Sequence, residues 1–346
     1  MASQVFLHIG LPKTGTTYLQ SVLWGSKDAL GKDGFLLPGS GHREHLWAAL
    51  ELQGRALEQR HPSAPGALGR LVKQVGRHRG PAILTHEFLC GAGREQAAGL
   101  VASLTPAEVH VVITARDTLG MLTSGWVEYV KNGGTKPLSA MRGDRLGGPG
   151  EFGWRTWDLG GVLRRWGRHV PPEQVHVLPM PPAGAPRDQH WRNLAGVLGL
   201  DPDRYDAPEE PRNPALGVVQ VELLRRVNPH LGDFRRAVDR GTWIRGYLAE
   251  QHLVQQEGER LGADDGQVEE CRERAERAVR IIERRGYQVV GDVDRLLVPA
   301  ELPERPRPDA VSDAALLGSA TTLIADMLTD VRRSARENPP DLTPGS

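Results

Sequence analysis

Residues 10–17 read Gly-Leu-Pro-Lys-Thr-Gly-Thr-Thr and are rich in glycine and threonine. They follow a short apolar run at residues 5–9 and precede residues 16–24, whose apolar side chains fall on one helical face. Between a buried strand and a helix, backbone N–H groups and the helix N-terminus can bind a phosphate group. The sequence therefore predicts an anion-binding segment at residues 10–17, which we term the glycine loop. A simple strand-to-helix turn, in which threonines cap the helix, is the alternative.

The lysine of the glycine loop does not lie where a triphosphate-binding loop would have it. Loops of nucleoside triphosphatases have the form Gly-x-x-x-x-Gly-Lys-Ser/Thr, with the lysine directly after the second glycine. Here Thr16 takes that position and the lysine comes earlier, at Lys13. This displacement favours a shorter anion, because Lys13 can neutralise the oxygen that joins a 5′-phosphate to its neighbouring group. Thr16 and Thr17 would add hydroxyl and N–H donors.

A second cationic position follows another predicted strand. Residues 109–114 are rich in β-branched side chains, and Arg116 comes shortly after them. The planar guanidinium group of arginine can make two charge-assisted hydrogen bonds to one phosphate. Ser124 follows eight residues later, in a segment with helical spacing. The alternatives are an ion pair of Arg116 with a neighbouring carboxylate and a hydrogen bond from Ser124 to its own helix backbone.

Two side chains that could act as a general base, His86 and Glu87, stand directly after the predicted strand at residues 82–85. Transfer of a group to a hydroxyl requires a base that removes the hydroxyl proton. Because consecutive residues that leave a strand point in different directions, we expect only one of the two to face the cleft. Alternatively, both belong to the N-terminus of a helix, whose dipole favours a carboxylate.

Taken together, these segments resemble the sulfotransferase superfamily. Its phosphosulfate loop has the form Pro-Lys-Ser/Thr-Gly-Thr-Thr, which this chain matches at Pro12, Lys13, Thr14, Gly15, Thr16 and Thr17. The resemblance implies that 3′-phosphoadenosine 5′-phosphosulfate (PAPS) is the co-substrate, bound without a metal ion. It also implies that Lys13 assists departure of the nucleotide and that Arg116 and Ser124 bind the 3′-phosphate. Tyr18 would pack on the adenine.

The resemblance also bears on the general base and on the acceptor. Aryl and steroid enzymes of the superfamily use histidine, whereas carbohydrate-type enzymes generally use glutamate. This chain is similar to bacterial members in which a strand ends in small polar residues followed by glutamate, and Glu87 matches that position. The resemblance therefore favours Glu87 over His86 and implies a hydroxyl acceptor on a carbohydrate or other small molecule.

The elements that must position these residues alternate between strands and helices, which predicts an α/β protein with a central parallel sheet. We expect three layers, α/β/α, of the P-loop nucleotide-binding type, followed from residue 217 by a mostly helical part. The expected division is a sulfotransferase domain at 1–300, a helical extension at 301–337 and a disordered tail at 338–346. Further predicted elements are helices at 45–59, 67–76, 117–130, 154–166, 268–285 and 309–336, a strand at 175–178, and a mobile loop at 131–153.

The amino-acid composition limits the kinds of binding partner that can be expected for this protein. The 346 residues contain 43 basic and 43 acidic side chains, so the overall charge gives no reason to expect binding to nucleic acid or an anionic membrane. The two cysteines, Cys90 and Cys271, lack the spacing of a zinc site and are expected to be buried thiols. We find neither a secretory signal nor an apolar run of about 20 residues, and we therefore expect a cytoplasmic protein. The oligomeric state is left open.

Two other functions remain possible. A kinase that uses ATP or GTP would need a lysine at position 16 and a carboxylate for magnesium, for which Asp117 is a poor candidate. A catalytically silent nucleotide-binding or scaffold protein would keep the pocket without turnover. Weaker site candidates are His42 and His45 for an acceptor pocket, although a lone histidine is more often a surface or capping residue, and Arg212 and Asn213 for the nucleotide. Trp154, Trp157 and Trp166 are expected in the core rather than in a sugar platform.

Overall fold

The computed structural model describes residues 1–57, 61–143, 153–206 and 215–337. The five strands of the described part are β1 Gln4–His8, β2 Ala82–Thr85, β3 Glu108–Ala115, β4 Val175–Pro179 and β5 Gln288–Val289. Its α-helices are α1 Thr16–Gly25, α2 Lys27–Lys32, α3 His42–Leu52, α4 Ala67–Arg77, α5 Arg94–Ser103, α6 Thr118–Lys131, α7 Trp154–Trp157, α8 Leu159–Trp166, α9 Gln189–Leu198, α10 Val218–Val227, α11 Ala237–Asp239, α12 Asp265–Arg285 and α13 Asp313–Glu337.

Single turns of 3₁₀-helix and one π-helix join these elements. The 3₁₀ turns are Glu87–Gly91, Leu138–Ala140, Pro172–Gln174, Pro202–Arg204, Asn228–His230, Leu253–Gln255, Val293–Leu296 and Pro308–Ala310, and the π-helix is Arg240–His252. The expected loop at 131–153 contains the turn at Leu138–Ala140, and its residues 144–152 lie outside the described part. The tail at 338–346 lies outside it as well.

All five strands run in parallel in one sheet, in the order β2-β1-β3-β4-β5. This confirms the predicted α/β class with a parallel sheet. The chain moves from β1 to β2 on one side and then returns across β1 to β3, so the direction of winding reverses between β1 and β3. In doubly wound sheets ligands bind at the carboxyl ends of the strands beside this switch point. The segments after β1 and β3 are therefore well placed for binding.

Side chains on both faces of the sheet are buried, which explains why the strands read as continuous apolar runs. On one face Phe6, Ile83, Val112 and Leu178 from four neighbouring strands pack in one cluster with apolar residues of α1 and α9. On the other face Leu7 and the alternating residues of β3 and β4 are buried. The sheet thus fixes the carboxyl ends of its strands as a rigid edge.

Several element boundaries differ from the sequence predictions. The helix predicted at 154–166 is interrupted at Asp158, whose backbone is extended and whose carboxylate lies 3.3 Å from the buried guanidinium of Arg274. The helix predicted at 45–59 begins at His42 and ends at Leu52, because Gly54 (φ +72°) turns the chain into the left-handed region. The short strand β5 was not predicted.

The chain divides into two compact units. The first comprises Met1–Gly125, Arg142–Pro211 and Asp265–Ala300 and contains the sheet, whereas the second comprises Trp126–Met141, Arg212–Asp264 and Glu301–Ser346. In the second unit α13 packs against α10.

The outer face of α13 exposes four large apolar side chains: Leu317, Ile324, Leu328 and Val331. Contrary to the sequence analysis, residues Asp313–Arg336 are long and apolar enough, by length and composition alone, to cross a membrane. The predicted cytoplasmic location stays a prediction.

Candidate active site

The glycine loop continues the line of β1 along its neighbour before turning into α1. The N–H of Ile9 donates to the carbonyl of Val112 (3.0 Å), and that of Leu11 donates to the carbonyl of Thr114 (2.7 Å). Lys13 (φ +62°) and Gly15 (φ +75°) then take left-handed conformations, which is uncommon for a residue with a side chain. These two positions reverse the chain, so α1 begins at Thr16 beside the carboxyl edge of the sheet.

Two glycines of the loop allow close contacts that a side chain would prevent. At Gly10 (φ +106°) a Cβ atom would lie 2.8 Å from the carbonyl oxygen of Glu87 and 2.9 Å from its Cα. At Gly15 it would lie 2.9 Å from Cδ2 of His190. The absence of both side chains therefore brings the segment after β2, and the first turn of α9, directly against the glycine loop.

A buried chain of polar groups lies beneath the loop, and we term it the threonine–histidine chain. Period-two alternation puts His8, Thr85 and Thr114 on the same face of three adjacent strands. His8 Nδ1 lies 2.8 Å from Thr85 Oγ1, His8 Nε2 lies 3.4 Å from Thr114 Oγ1, and Thr114 Oγ1 lies 2.6 Å from Thr14 Oγ1. The chain ends where the Thr14 hydroxyl donates to the carbonyl of Leu11 (2.6 Å). It links the glycine loop to the ends of β1, β2 and β3.

The direction of these hydrogen bonds follows from counting protons. Because the Thr14 hydroxyl donates to a carbonyl, the Thr114 hydroxyl must donate to Thr14, and His8 Nε2–H must then donate to Thr114. Burial is the largest of the effects that lower the pKa of His8 to about 4, so the imidazole is neutral at neutral pH. In the neutral ring Nδ1 accepts the hydroxyl proton of Thr85.

His190, at the start of α9, holds the loop from the other side. Its Nε2 lies 2.9 Å from the carbonyl oxygen of Thr14, to which it donates, so Thr14 is fixed through both its side chain and its backbone. Burial lowers the pKa of His190 and keeps the ring neutral. Its Nδ1 atom is buried and has no hydrogen-bond partner among the described residues. Sequence reasoning missed His190, which lies far from the loop along the chain.

The N-terminus of α1 is open to a ligand. The residue that precedes it is Gly15, no side chain caps the helix, and its first turn contains no acidic residue. The predicted alternative, a turn capped by threonines, is therefore not what the structure has. Thr16 is buried, while Lys13 and Thr17 are exposed. An uncapped helix start beside a lysine offers N–H donors, the positive end of a helix dipole and a full positive charge to one anion.

Arg116 and Ser124 both contact Gly120, in the first turn of α6. A Cβ atom at Gly120 would lie 2.8 Å from Cζ of Arg116, so the guanidinium lies across the glycine. The Ser124 hydroxyl donates to the carbonyl of the same glycine (2.6 Å). Arg116 Nε lies 3.7 Å from Asp117, whose carboxylate accepts the N–H of Gly120 (2.6 Å). The structure thus brings Arg116 and Ser124 each into contact with Gly120, and it contains both local interactions that were named as alternatives.

His86 and Glu87 differ in the solvent exposure of their side chains. The side chain of His86 is 6% exposed and that of Glu87 is 21% exposed. The pKa of His86 is lowered by burial, and the neutral ring accepts the N–H of Phe88 at Nδ1 (3.1 Å). Its Nε2 must then carry the proton, so His86 has no free lone pair with which to take another. Glu87 is the accessible base of the two.

Gln20 orients the carboxylate of Glu87. The Gln20 amide, in the second turn of α1, donates to Glu87 Oε2 (3.0 Å), which leaves Oε1 for a further partner. Burial raises the pKa of Glu87, but the positive charge of His86 in its protonated form, the Glu87 backbone N–H and the Gln20 amide outweigh it, and the net pKa is lowered. Glu87 is therefore ionised at neutral pH. Sequence reasoning missed Gln20, although its position four residues after Thr16 puts it on the loop side of α1.

The other predicted residues lie as follows. Pro12 is partly exposed on the loop, whereas Tyr18 is buried in the cluster beneath α1, so its proposed contact with adenine stays a prediction. His45 is buried, accepts the N–H of Thr85 and contacts the carbonyl of Pro38, which are structural contacts. His42 is exposed. Trp154, Trp157 and Trp166 are all buried in the core, and Arg212 and Asn213 lie outside the described residues.

Replacement of Gly10 tests the close approach of the loop to Glu87. Gly10→Ala must displace the Glu87 backbone and is also strained at positive φ, so we expect it to lower the free energy of unfolding by about 1–3 kcal/mol. Urea denaturation measures this change. Gly31→Ala is the matched control, since a Cβ atom there meets nothing within 4 Å and should be neutral or slightly stabilising. Equal stability of the two variants would contradict the proposed packing.

The neutral state of His8 predicts a pH dependence of stability. The unfolded chain protonates His8 near its ordinary pKa of about 6.5, whereas the folded chain protonates it at about 4, so stability falls as the pH drops through this window. Between pH 7 and pH 5 the His8→Asn variant should therefore lose about 2 kcal/mol less than the unmodified protein. Urea titrations at both pH values measure this, with the exposed His230→Asn as control. An equal loss in all three proteins would contradict a buried neutral His8.

Comparison with known proteins adds no assignment. A scan against protein-family models finds no match, and searches of curated proteins and of solved structures find none either. What this chain does is therefore inferred from its own residues and their geometry.

Proposed function

We propose that this protein is a PAPS-dependent sulfotransferase that transfers a sulfuryl group to a hydroxyl of a carbohydrate or other small molecule. One observation carries the proposal. Three groups lie at the same edge of the sheet, each after one of three adjacent strands. They are the uncapped start of α1 with Lys13, the pair Arg116 and Ser124, and the accessible Glu87. These are two separate anion sites and one base, as transfer from a nucleotide with phosphates at both its 3′ and 5′ positions requires.

The first anion site would bind the 5′-phosphosulfate. The uncapped N-terminus of α1 supplies N–H donors, Thr16 and Thr17 supply hydroxyls, and Lys13 supplies the charge. The threonine–histidine chain keeps Thr14, and with it the loop, in place before a ligand binds. In this proposal the fold is a three-layer α/β/α arrangement of the P-loop nucleotide-binding type, with a loop adapted to a phosphosulfate.

The second anion site would bind the 3′-phosphate through Arg116 and Ser124. The guanidinium can bind phosphate oxygens in pairs. The Ser124 hydroxyl has one proton, which it donates to the carbonyl of Gly120, and it would have to rotate towards the phosphate. The contact of both side chains with Gly120 supports their assignment to one site.

The residues then divide the reaction between them. Glu87, held by Gln20, accepts the proton of the acceptor hydroxyl while the hydroxyl oxygen forms a bond to sulfur. The bond between sulfur and the oxygen of the 5′-phosphate breaks, and Lys13 with the N–H donors of α1 stabilises the negative charge on that oxygen. The products are a sulfate ester and adenosine 3′,5′-bisphosphate, and the proton remains on Glu87. The proposed reaction needs no metal ion, because cationic and N–H groups carry the charge.

The two rival functions fit these contacts less well. A kinase needs a carboxylate for magnesium, but Asp117 is engaged by the N–H of Gly120 and the guanidinium of Arg116. A silent nucleotide-binding protein has no need of an oriented base, whereas Glu87 is held by a dedicated hydrogen bond from Gln20. Neither nucleic acid nor a membrane has a part in the proposal, and the cytoplasmic location remains as predicted.

Nucleotide binding tests the two anion sites together. We expect adenosine 3′,5′-bisphosphate to bind at least about tenfold more tightly than ADP or ATP, because Arg116 is a charged partner for the 3′-phosphate alone. Arg116→Ala should remove this preference while leaving the affinity for ADP nearly unchanged. Isothermal titration calorimetry measures both, and Arg94→Ala, at an exposed position of α5, is the matched control. Tighter binding of ATP than of the bisphosphate would overturn the assignment.

Substitution of the base tests the chemistry. Glu87→Gln keeps the shape and the contact with Gln20 but cannot take a proton, so kcat should fall by about 10²–10⁴-fold. The affinity for PAPS should stay within about threefold. The assay uses the acceptor that the unmodified protein sulfates best among a panel of sugars and small alcohols.

His86→Asn is the control for Glu87→Gln and should lose less than about tenfold in kcat. If PAPS binds both variants and neither loses activity, Glu87 is not the base. A larger loss in His86→Asn than in Glu87→Gln would assign the role to His86.

A further inference from the structure

Six arginines surround a cleft at the end of the sheet opposite the glycine loop. It is formed where α8 packs along the last turns of α12, has a volume of about 200 Å³, and is lined by Arg164, Arg168, Arg277, Arg280, Arg284 and Arg285 together with Leu163, Ile281 and Tyr287. Tyr287 stands directly before β5, and Gly167 comes shortly before β4. Because all the strands are parallel, the cleft lies at their amino ends, away from the proposed reaction centre.

The floor of the cleft is rigid. The Tyr287 hydroxyl donates to the carbonyl of Gly167 (3.0 Å), and a Cβ atom at Gly167 would lie 2.8 Å from Cζ of Tyr287. Tyr287, Leu163 and Ile281 are buried. The arginines therefore stand around a fixed surface that two packed helices and a strand end define.

The positive charge of the cleft is only partly compensated. Arg168, Arg284 and Arg285 have no carboxylate partner among the described residues. The other three have long or exposed ion pairs: Arg277 with Glu273 (3.5 Å), Arg280 with Glu276 (3.2 Å) and Arg164 with Asp158 (3.8 Å). Exposed pairs of this kind contribute little and can open at small cost. No acidic side chain within the described ranges lines the cleft itself, although the protein as a whole has no net charge.

Like charges at this density repel one another, and a bound anion removes that repulsion. Guanidinium groups suit phosphate and sulfate oxygens, which they bind in pairs. The cleft, with a volume of about 200 Å³, has room for two tetrahedral oxyanion groups. We propose that this arginine cleft is a second ligand site, which binds a compact anion carrying two neighbouring phosphate or sulfate groups. The inference does not depend on the proposed function.

Calorimetry with inorganic pyrophosphate on the full chain at fixed ionic strength tests this site. The titration is made with adenosine 3′,5′-bisphosphate present, and again in the Lys13→Ala variant, so that binding at the glycine loop is excluded. We expect one pyrophosphate to bind in both cases. The double variant Arg284→Gln/Arg285→Gln should weaken binding at least about tenfold, with an unchanged circular dichroism spectrum.

Arg332→Gln/Arg336→Gln, at exposed positions of α13, is the control with the same change in charge and should bind like the unmodified protein. Equal weakening in both double variants would show a general effect of charge and overturn the site. So would loss of binding in Lys13→Ala or in the presence of the bisphosphate.

Two further titrations distinguish the source of the anion. A disulfated disaccharide that binds more tightly than pyrophosphate would assign the site to sulfate or phosphate esters, and the reverse order would assign it to free diphosphate. A single-stranded DNA 20-mer that binds more tightly than both would overturn a compact ligand in favour of an extended one. Absence of binding by all three probes would overturn the proposal.

Discussion

The contact on which the candidate site depends is the buried threonine–histidine chain beneath the glycine loop. Hydrogen bonds run from Thr85 through His8 and Thr114 to Thr14, and they tie the loop to the ends of three strands. A buried polar group that loses its partner costs about 1–3 kcal/mol, so the members of the chain stabilise one another only when all are present. Burial keeps His8 neutral at neutral pH by lowering its pKa to about 4, so its ring offers one donor and one acceptor to the chain.

Glycines allow the other close contacts that position the residues of the candidate site. Gly10 and Gly15 lack side chains at the two points where Glu87 and His190 press against the loop, and Gly120 does the same for Arg116 in α6. Each glycine loses conformational entropy on folding, a cost that the packing around it must offset. The result is that side chains from three strand ends are held at fixed positions with little freedom of their own, which is the arrangement that binding or catalysis at a preformed site requires.

The structure also separates residues that the sequence presents as equals. His86 and Glu87 are adjacent, and both follow β2. His86 is buried and accepts the N–H of Phe88, whereas Glu87 is 21% exposed and has one carboxylate oxygen held by Gln20. The different surroundings of the two side chains depend on the 3₁₀ turn Glu87–Gly91 and on α1, which carries Gln20. Trp154, Trp157 and Trp166 fill the core, which the sequence analysis favoured over a sugar platform.

The sequence by itself determined the α/β class, the strand at 82–85, the approximate extent of the first four strands, and the segments where an anion and a base could lie. Local patterns carry these features, because alternating strands and helices, glycines at a strand–helix junction and a strand-end arginine are all visible within short windows. Only the tertiary structure decided the strand order with its switch point, the contacts of His8, Gln20 and His190 with the loop, and the pairing of α8 with α12 that gathers six arginines. It also decided β5, whose two residues form a strand solely because they pair with β4. These features join residues far apart along the chain, and no local pattern can specify which of many distant partners a buried group will find.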